Sequence, residues 1–205
     1  RVRHLEGLDS SVALLHGEVP ELVHVREGRI DHEVDLWHGQ KTGLFLDQRE
    51  NRVAARTYAH GRLLDAFSYH GAFALQLADR CDEAVALDVS EEAVGHITRN
   101  AARNGVTNLE ARCANVFDAL RHMERSGERF DTIALDPPAF AKSRGAVDQA
   151  LRGYREVNRR AMRLLAPGGV LLTASCSHHV HRDEFMAMLV EAAGDSGRRL
   201  VLERV

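Results

Sequence analysis

From Arg62 onward, short apolar runs alternate with longer amphipathic stretches, and this alternation constrains the fold more than any other feature. Strands are predicted at Leu63–Phe67, Ala84–Leu87, Leu109–Arg112, Thr132–Leu135, Val170–Thr173 and Leu200–Leu202. Between them the 3.6-residue spacing of apolar positions predicts helices over Ala72–Ala78, Glu91–Asn104, Phe117–Glu124, Val147–Leu165 and Asp183–Ala193. Short, almost wholly apolar strands separated by helices imply an α/β fold: a parallel sheet with helices on both faces.

Residues 8 to 36 read differently. Val12-Ala13-Leu14-Leu15, Leu22-Val23-His24-Val25 and the run from Ile30 to Leu36 are punctuated by Gly17, Pro20 and Gly28, which predicts a small β-meander. A helix is expected over Arg49–Ala59. At 205 residues the chain is long enough for one sizeable domain plus a small appendage, and 44% hydrophobic with 28% charged residues is ordinary globular composition. No stretch is long and apolar enough for a membrane span and none resembles a signal peptide, so a cytoplasmic protein without membrane partners is expected. Three cysteines without CxxC spacing support neither a disulfide framework nor a metal site. A net charge of −3 means that any nucleic-acid contact must come from a local patch. The chain opens on Arg1 instead of Met, which suggests a trimmed form.

Open α/β sheets hold ligands beyond the carboxyl ends of their strands. The first strand there runs into Asp65-Ala66-Phe67-Ser68-Tyr69-His70-Gly71, a tight turn into a helix whose free N–H groups face the crevice. It is not GxGxxG, which counts against a dinucleotide and against a dehydrogenase. Asp88 ends the second strand, where a carboxylate can take both hydroxyls of a ribose, although Asp88 and Ser90 can equally be helix-capping residues. Asn115 follows the third strand, suited to an adenine edge. Together these point to S-adenosylmethionine (SAM). Asp136-Pro137-Pro138-Ala139-Phe140 and Ser175-Cys176-Ser177 then bring an acid and a thiol to neighbouring strand ends.

These motifs carry a family resemblance. Lys41-Thr42-Gly43-Leu44-Phe45-Leu46-Asp47-Gln48-Arg49 with Asn51-Arg52, Phe67-Ser68-Tyr69 with Gly71, Asp136-Pro137-Pro138 with Phe140, Arg152-Gly153-Tyr154, and Ser175-Cys176-Ser177 resemble the bacterial 23S ribosomal RNA large-subunit cytosine-C5 methyltransferases that carry a PUA domain. His70 and Ala72 stand where that family has smaller residues, and Asn115 where an acid is common. The resemblance implies a class I SAM-dependent methyltransferase domain over residues 41–205, preceded by a β-rich segment over 1–40 that is the remnant of a central domain. It also implies a missing PUA-like module and a missing strand beyond Val205, so that truncation or completion of an open edge by a second copy is expected.

By the same resemblance Cys176 is the nucleophile toward cytosine C6 and Asp136 the group that orients the base. Gln48, Arg49, Asp65, Phe67, Ser68, Tyr69, Gly71, Asp88, Asn115 and Asp136 are the expected cofactor contacts. Pro137 and Pro138 stiffen the substrate loop and Phe140 is placed to stack on an extruded base. Lys142, Arg144, Arg152, Arg155, Arg159, Arg160 and Arg163 outnumber Asp148 and Glu156 next to that loop. Arg152 and Arg155 are the candidates for holding an RNA backbone; Arg159, Arg160 and Arg163 read better as a solvated helix face. His178, His179 and His181 read as a solvated loop, and Cys81 and Cys113 as structural. Three alternatives stay open at this level. Cys176 is a buried hydrophobe, the chain methylates a guanine or adenine nitrogen without a thiol, or it binds SAM or RNA without turnover.

Overall fold

The structure is a computed structural model that describes residues 12–39, 43–141 and 143–205. Lys41, Thr42, Lys142 and residues 8–11 of the expected meander lie outside the described residues. Two strands, β1 (Leu22–Glu27) and β2 (Ile30–Asp35), form an antiparallel hairpin. A short helix α1 (Arg49–Ala55) follows, and then the alternation begins: β3 (Arg62–Ala66), α2 (Ala72–Leu77), β4 (Glu83–Asp88), α3 (Glu91–Arg103) and β5 (Leu109–Cys113). It continues through α4 (Val116–Ser126), β6 (Phe130–Leu135), α5 (Val147–Leu164), β7 (Leu165–Thr173) and α6 (Arg182–Ser196).

The five later strands are all parallel, in the order β5-β4-β3-β6-β7. The chain starts this sheet in the middle and winds first to one side, then to the other. Strand order therefore reverses at β3, which opens a crevice at the carboxyl ends of β3, β4 and β6. The period of two along each strand sorts the core. Leu64, Ala66, Ile133 and Leu135 pack with Val116, Leu120, Val157 and Ala161 of α4 and α5, while Leu63 and Ala134 pack with Ala55, Phe73 and Leu77 on the opposite face. Asp65 is thereby turned toward α2, a placement used at the site.

The hairpin docks on the helices through polar groups. The backbone N–H groups of Asp31 and Glu33, on the outer edge of β2, donate to the side-chain oxygens of Asn104 and Asn100, each at 2.8 Å, and Asn104 Nδ2 donates to the Asp31 carbonyl at 2.9 Å. Two residues along a strand advance about 6.7 Å and four along a helix about 6 Å, so asparagines one turn apart match the strand's repeat.

Several expectations are corrected. Among the described residues the expected meander is a hairpin: Val12–Leu15 forms no strand, and Val12 and Leu15 are exposed. Leu200–Leu202 is likewise irregular and exposed, so among the described residues β7 pairs only with β6. Apolar runs this short become strands only where a neighbour completes their hydrogen bonds. The helix expected to reach Ala59 ends at Ala55, and β7 begins at Leu165, five residues before the apolar run, with a register shift opposite Phe130–Thr132. No helix among the described residues is long and apolar enough to cross a membrane.

Candidate active site

A cavity of about 480 Å³ occupies the crevice at the strand ends. Its lining includes Gln48, Asp65, Phe67, Ser68, Tyr69, Asp88, Asn115, Asp136, Pro137, Pro138, Phe140 and Cys176, all from the sequence-derived set. Arg49, Gly71, Arg152 and Arg155 are not part of the lining. Arg49 is exposed beside Glu50, 3.9 Å away. Gly71, at φ +79°, is the left-handed residue from which α2 starts; a Cβ there would sit 3.1 Å from Ile97.

The turn after β3 is held in an unusual conformation. Phe67 (φ 64°) and Tyr69 (φ 51°) are both left-handed, which costs about 1–3 kcal/mol each for residues with a Cβ. The buried carboxylate of Asp65 holds the turn from inside, accepting from Ser68 Oγ at 2.5 Å and Ala74 N at 2.9 Å. Burial raises its pKa to about 6 against those two donors, with the charges of Asp136 and Asp88 adding to the rise. From outside, Ser68 N donates to the Leu87 carbonyl and Tyr69 N to Asp88 Oδ2, at 2.9 and 2.8 Å. Asp65 thus serves the loop first.

Asp88 accepts from Tyr69 N through one oxygen and from Ser90 N at 3.0 Å through the other. Each carboxylate oxygen has a second lone pair, so two acceptors remain for a diol. Asn115 caps α4: its Oδ1 accepts from Phe117 N and Asp118 N at 3.0 and 3.4 Å. Its amide nitrogen has no protein acceptor among the described residues. The cap and the ligand-facing role are compatible because they use opposite ends of one amide.

A stack that the sequence did not suggest forms one wall. The Tyr69 and His70 rings lie 3.7 Å apart, His70 and His96 4.3 Å apart, and Phe45 meets Tyr69 edge-on at 5.2 Å. Burial, with the neighbouring charge of His96 as a smaller contribution, lowers the pKa of His70 to about 4. No local pattern announces this wall, since its members come from three separate segments.

On the other side Asp136 and Cys176 meet. Gln48 Nε2 donates to Asp136 Oδ1 at 3.1 Å, and Asn51 Nδ2 donates to Gln48 Oε1 at 2.6 Å, so the Gln48 amide is oriented by its neighbour. Cys176 is exposed, its Sγ 3.5 Å from the Pro137 carbonyl, which overturns the reading of this thiol as a core residue. Cys81, by contrast, is half-buried and its pKa is pushed up to about 11 by burial. The two loops are joined by Ser177, which is buried: its Oγ accepts from Ala141 N at 3.1 Å and lies 2.8 Å from Tyr154 Oη. Phe140 packs against Phe67, Phe117 and Tyr154, with ring centres 4.6–6.2 Å apart, so its ring belongs to the wall of the cavity.

The basic segment is mostly neutralised. Arg155 pairs with Glu191 and Asp195, Arg159 and Arg160 with Glu156, and Arg160 and Arg163 with Glu124. Arg152 is exposed and has no ion pair among the described residues.

The donor set suits SAM. A diol acceptor at Asp88, an amide at Asn115 and the apolar sides of Val89, Val116 and Phe117 fit an adenosine. The carboxylates of Asp35, Asp47, Glu92 and Asp136 around the remainder favour a cationic sulfonium.

Comparison with known proteins agrees with this geometry. Residues 2–205 match the model of the S-adenosylmethionine-dependent methyltransferase family. A ribosomal RNA large subunit methyltransferase I from Aeromonas salmonicida is 42% identical over 202 residues, covering 96% of this chain and 51% of that protein. Its counterpart from Yersinia pseudotuberculosis is 40% identical over 201 residues, with the same coverage. The chain spans about half the length of the curated relatives it matches. A putative SAM-dependent methyltransferase from Streptococcus mutans has the same fold, with a TM-score of 0.78 at 24% identity over 88% of this chain and 48% of that one.

Proposed function

From the premise that this chain belongs to the S-adenosylmethionine-dependent methyltransferase family, we propose that it is the catalytic part of an enzyme forming 5-methylcytosine in 23S ribosomal RNA. SAM, when bound, supplies an electrophilic methyl group. Asp88, Asn115 and the loop Phe67–Gly71 hold the nucleoside part, and Gln48 and Asp136 stand toward the reacting end. The observation that carries the reading is an exposed thiol, Cys176, lining the same cavity as Asp136. The names of the relatives, ribosomal RNA large subunit methyltransferase I, support the substrate class.

Cytosine C5 is a weak nucleophile until C6 is attacked. The Cys176 thiolate forms an S–C6 bond, and the C5=C6 π pair moves onto C5, conjugated with the ring carbonyl and N3. C5 then takes the methyl group. A base removes the C5 proton, its electron pair restores C5=C6, and the C6–S bond breaks to return the thiolate. Asp136 accepts from the exocyclic amine and keeps the ring in register with Cys176. Arg152 holds RNA phosphate outside the cavity.

Calorimetry with S-adenosylhomocysteine (SAH), followed by tritiated-methyl transfer to unmodified 23S ribosomal RNA, tests the proposal. Binding and transfer by the unaltered chain, with binding alone by Cys176→Ala, is the expected result. Full transfer by Cys176→Ala refutes the covalent route and favours attack by a base nitrogen.

A further inference from the structure

The segment Asn51-Arg52, singled out in the sequence for its resemblance alone, holds a group that the chemistry above does not use. Arg52 is 1% exposed yet lies in the wall of the cavity. Its Nε and Nη2 donate to the two carboxylate oxygens of Glu27 at 2.6 and 2.5 Å, a bidentate pair sealed from solvent. Glu27 is the last residue of β1, and its carbonyl accepts from Gln76 Nε2 of α2 at 2.5 Å. Arg52 has a further use: Nη2 also donates to the Phe45 carbonyl at 3.0 Å. That same carbonyl accepts from Gln48 N at 3.4 Å. Gln48 in turn reaches Asp136, and the Phe45 ring meets Tyr69 of the cofactor loop.

A pair that served only to dock the hairpin would need no third bond into the Phe45–Gln48 turn. We propose that Arg52 is a positioning residue for methyl transfer, through which the hairpin sets the place of Gln48 and hence of the Asp136 carboxylate. This rests on the reading of the cavity given above. The planar guanidinium is required because it spans the Glu27 carboxylate and the Phe45 carbonyl at once; an ammonium can satisfy the first and not the second. Removing Arg52 strands a buried carboxylate at the far end of the hairpin, a loss of stability that a docking role alone also predicts.

The test must therefore separate stability from positioning. Arg52→Lys, Arg52→Met and Gln48→Ala are compared with Arg99→Ala, which removes the 2.8 Å partner of Glu33 on the same hairpin. Each is measured at a temperature where circular dichroism shows it folded, by SAH calorimetry and by single-turnover transfer of tritiated methyl to 23S ribosomal RNA. Arg52→Lys and Gln48→Ala are expected to lose transfer at saturating cofactor by roughly a hundredfold, the scale of a catalytic group displaced by about 1 Å. Arg99→Ala is expected to melt earlier and to transfer at the normal rate. Gln48→Ala, on a half-exposed side chain, keeps the test open if the Arg52 variants do not fold. Normal transfer by folded Arg52→Lys and by Gln48→Ala, or an equal loss in Arg99→Ala, overturns the proposal. A wild-type chain that binds no SAH or transfers no methyl group overturns the functional reading, and this one with it.

Discussion

The two sides of the crevice are held by opposite means. On the cofactor side, the turn after β3 carries two left-handed aromatic residues, and backbone N–H groups and the buried Asp65 hold it there. On the side proposed for the base, the loops after β6 and β7 carry no left-handed residue between Asp136 and Ala141 or between Ala174 and Val180, and are joined through side chains: the Ser177 hydroxyl, which also meets Tyr154 of α5, and Cys176 Sγ against the Pro137 carbonyl. A turn held by backbone hydrogen bonds tolerates many side chains but resists displacement. Loops joined through side chains keep their reactive atoms in register only while each partner is present. Cofactor binding and chemistry should therefore fail separately.

Cys176→Ala is the sharpest division. Loss of the proposed nucleophile should reduce methyl transfer at least about a thousandfold while SAH affinity stays within about twofold, measured by single turnover and calorimetry. Ser177→Ala comes next. It leaves Ala141 N and Tyr154 Oη without their buried partner, a destabilisation of about 1–3 kcal/mol for each group. Denaturant melts should show that loss, and transfer should fall roughly tenfold with SAH affinity unchanged; equal losses in both activities would erase the distinction between the two sides.

The hairpin and the cofactor side should instead respond to acid. His32 and His70 have pKa values lowered from 6.5 to about 4, chiefly by burial. The unfolded chain binds protons on them first, so their contribution is complete above pH 6.5 and is lost as pH falls toward 4, up to about 3 kcal/mol each. Asp65, raised to about 6, has the opposite sign, since its folded form binds the proton more readily and acidification offsets about one imidazole. Urea melts at pH 7 and pH 5 should show a net loss in the unaltered chain and little loss in His70→Gln. Arg152→Glu should have the smallest effect: a few-fold weaker RNA binding that fades with added salt, with unaltered SAH binding. Filter binding at two salt concentrations measures it.

Much of this architecture was legible before the structure. The alternation that predicts a parallel sheet is a local pattern, and every helix from Ala72 onward falls within a few residues of its expected place. Ser90 does cap α3, accepting from Ala93 N at 3.2 Å. Asp136 and Cys176 were legible for the same reason, because each follows a strand and strand ends converge. The Tyr69–His70–His96 stack and the Ser177–Tyr154 contact were not, since each joins segments that meet only after helices pack. The runs near Val12 and Leu200 misled because apolar alternation records what a strand requires of its residues and nothing of the neighbour it pairs with.

The asparagines along α3 make a helix serve the outer edge of β2 where a strand would otherwise pair. The amide protons of Asp31 and Glu33 therefore open to solvent only when α3 lets go, since among the described residues no adjoining strand can fray from them one bond at a time. In hydrogen exchange these two amides should share the slow rate of α3 and should quicken together in Asn100→Ala, which makes the hairpin's outer rim a gauge of the helix beside it.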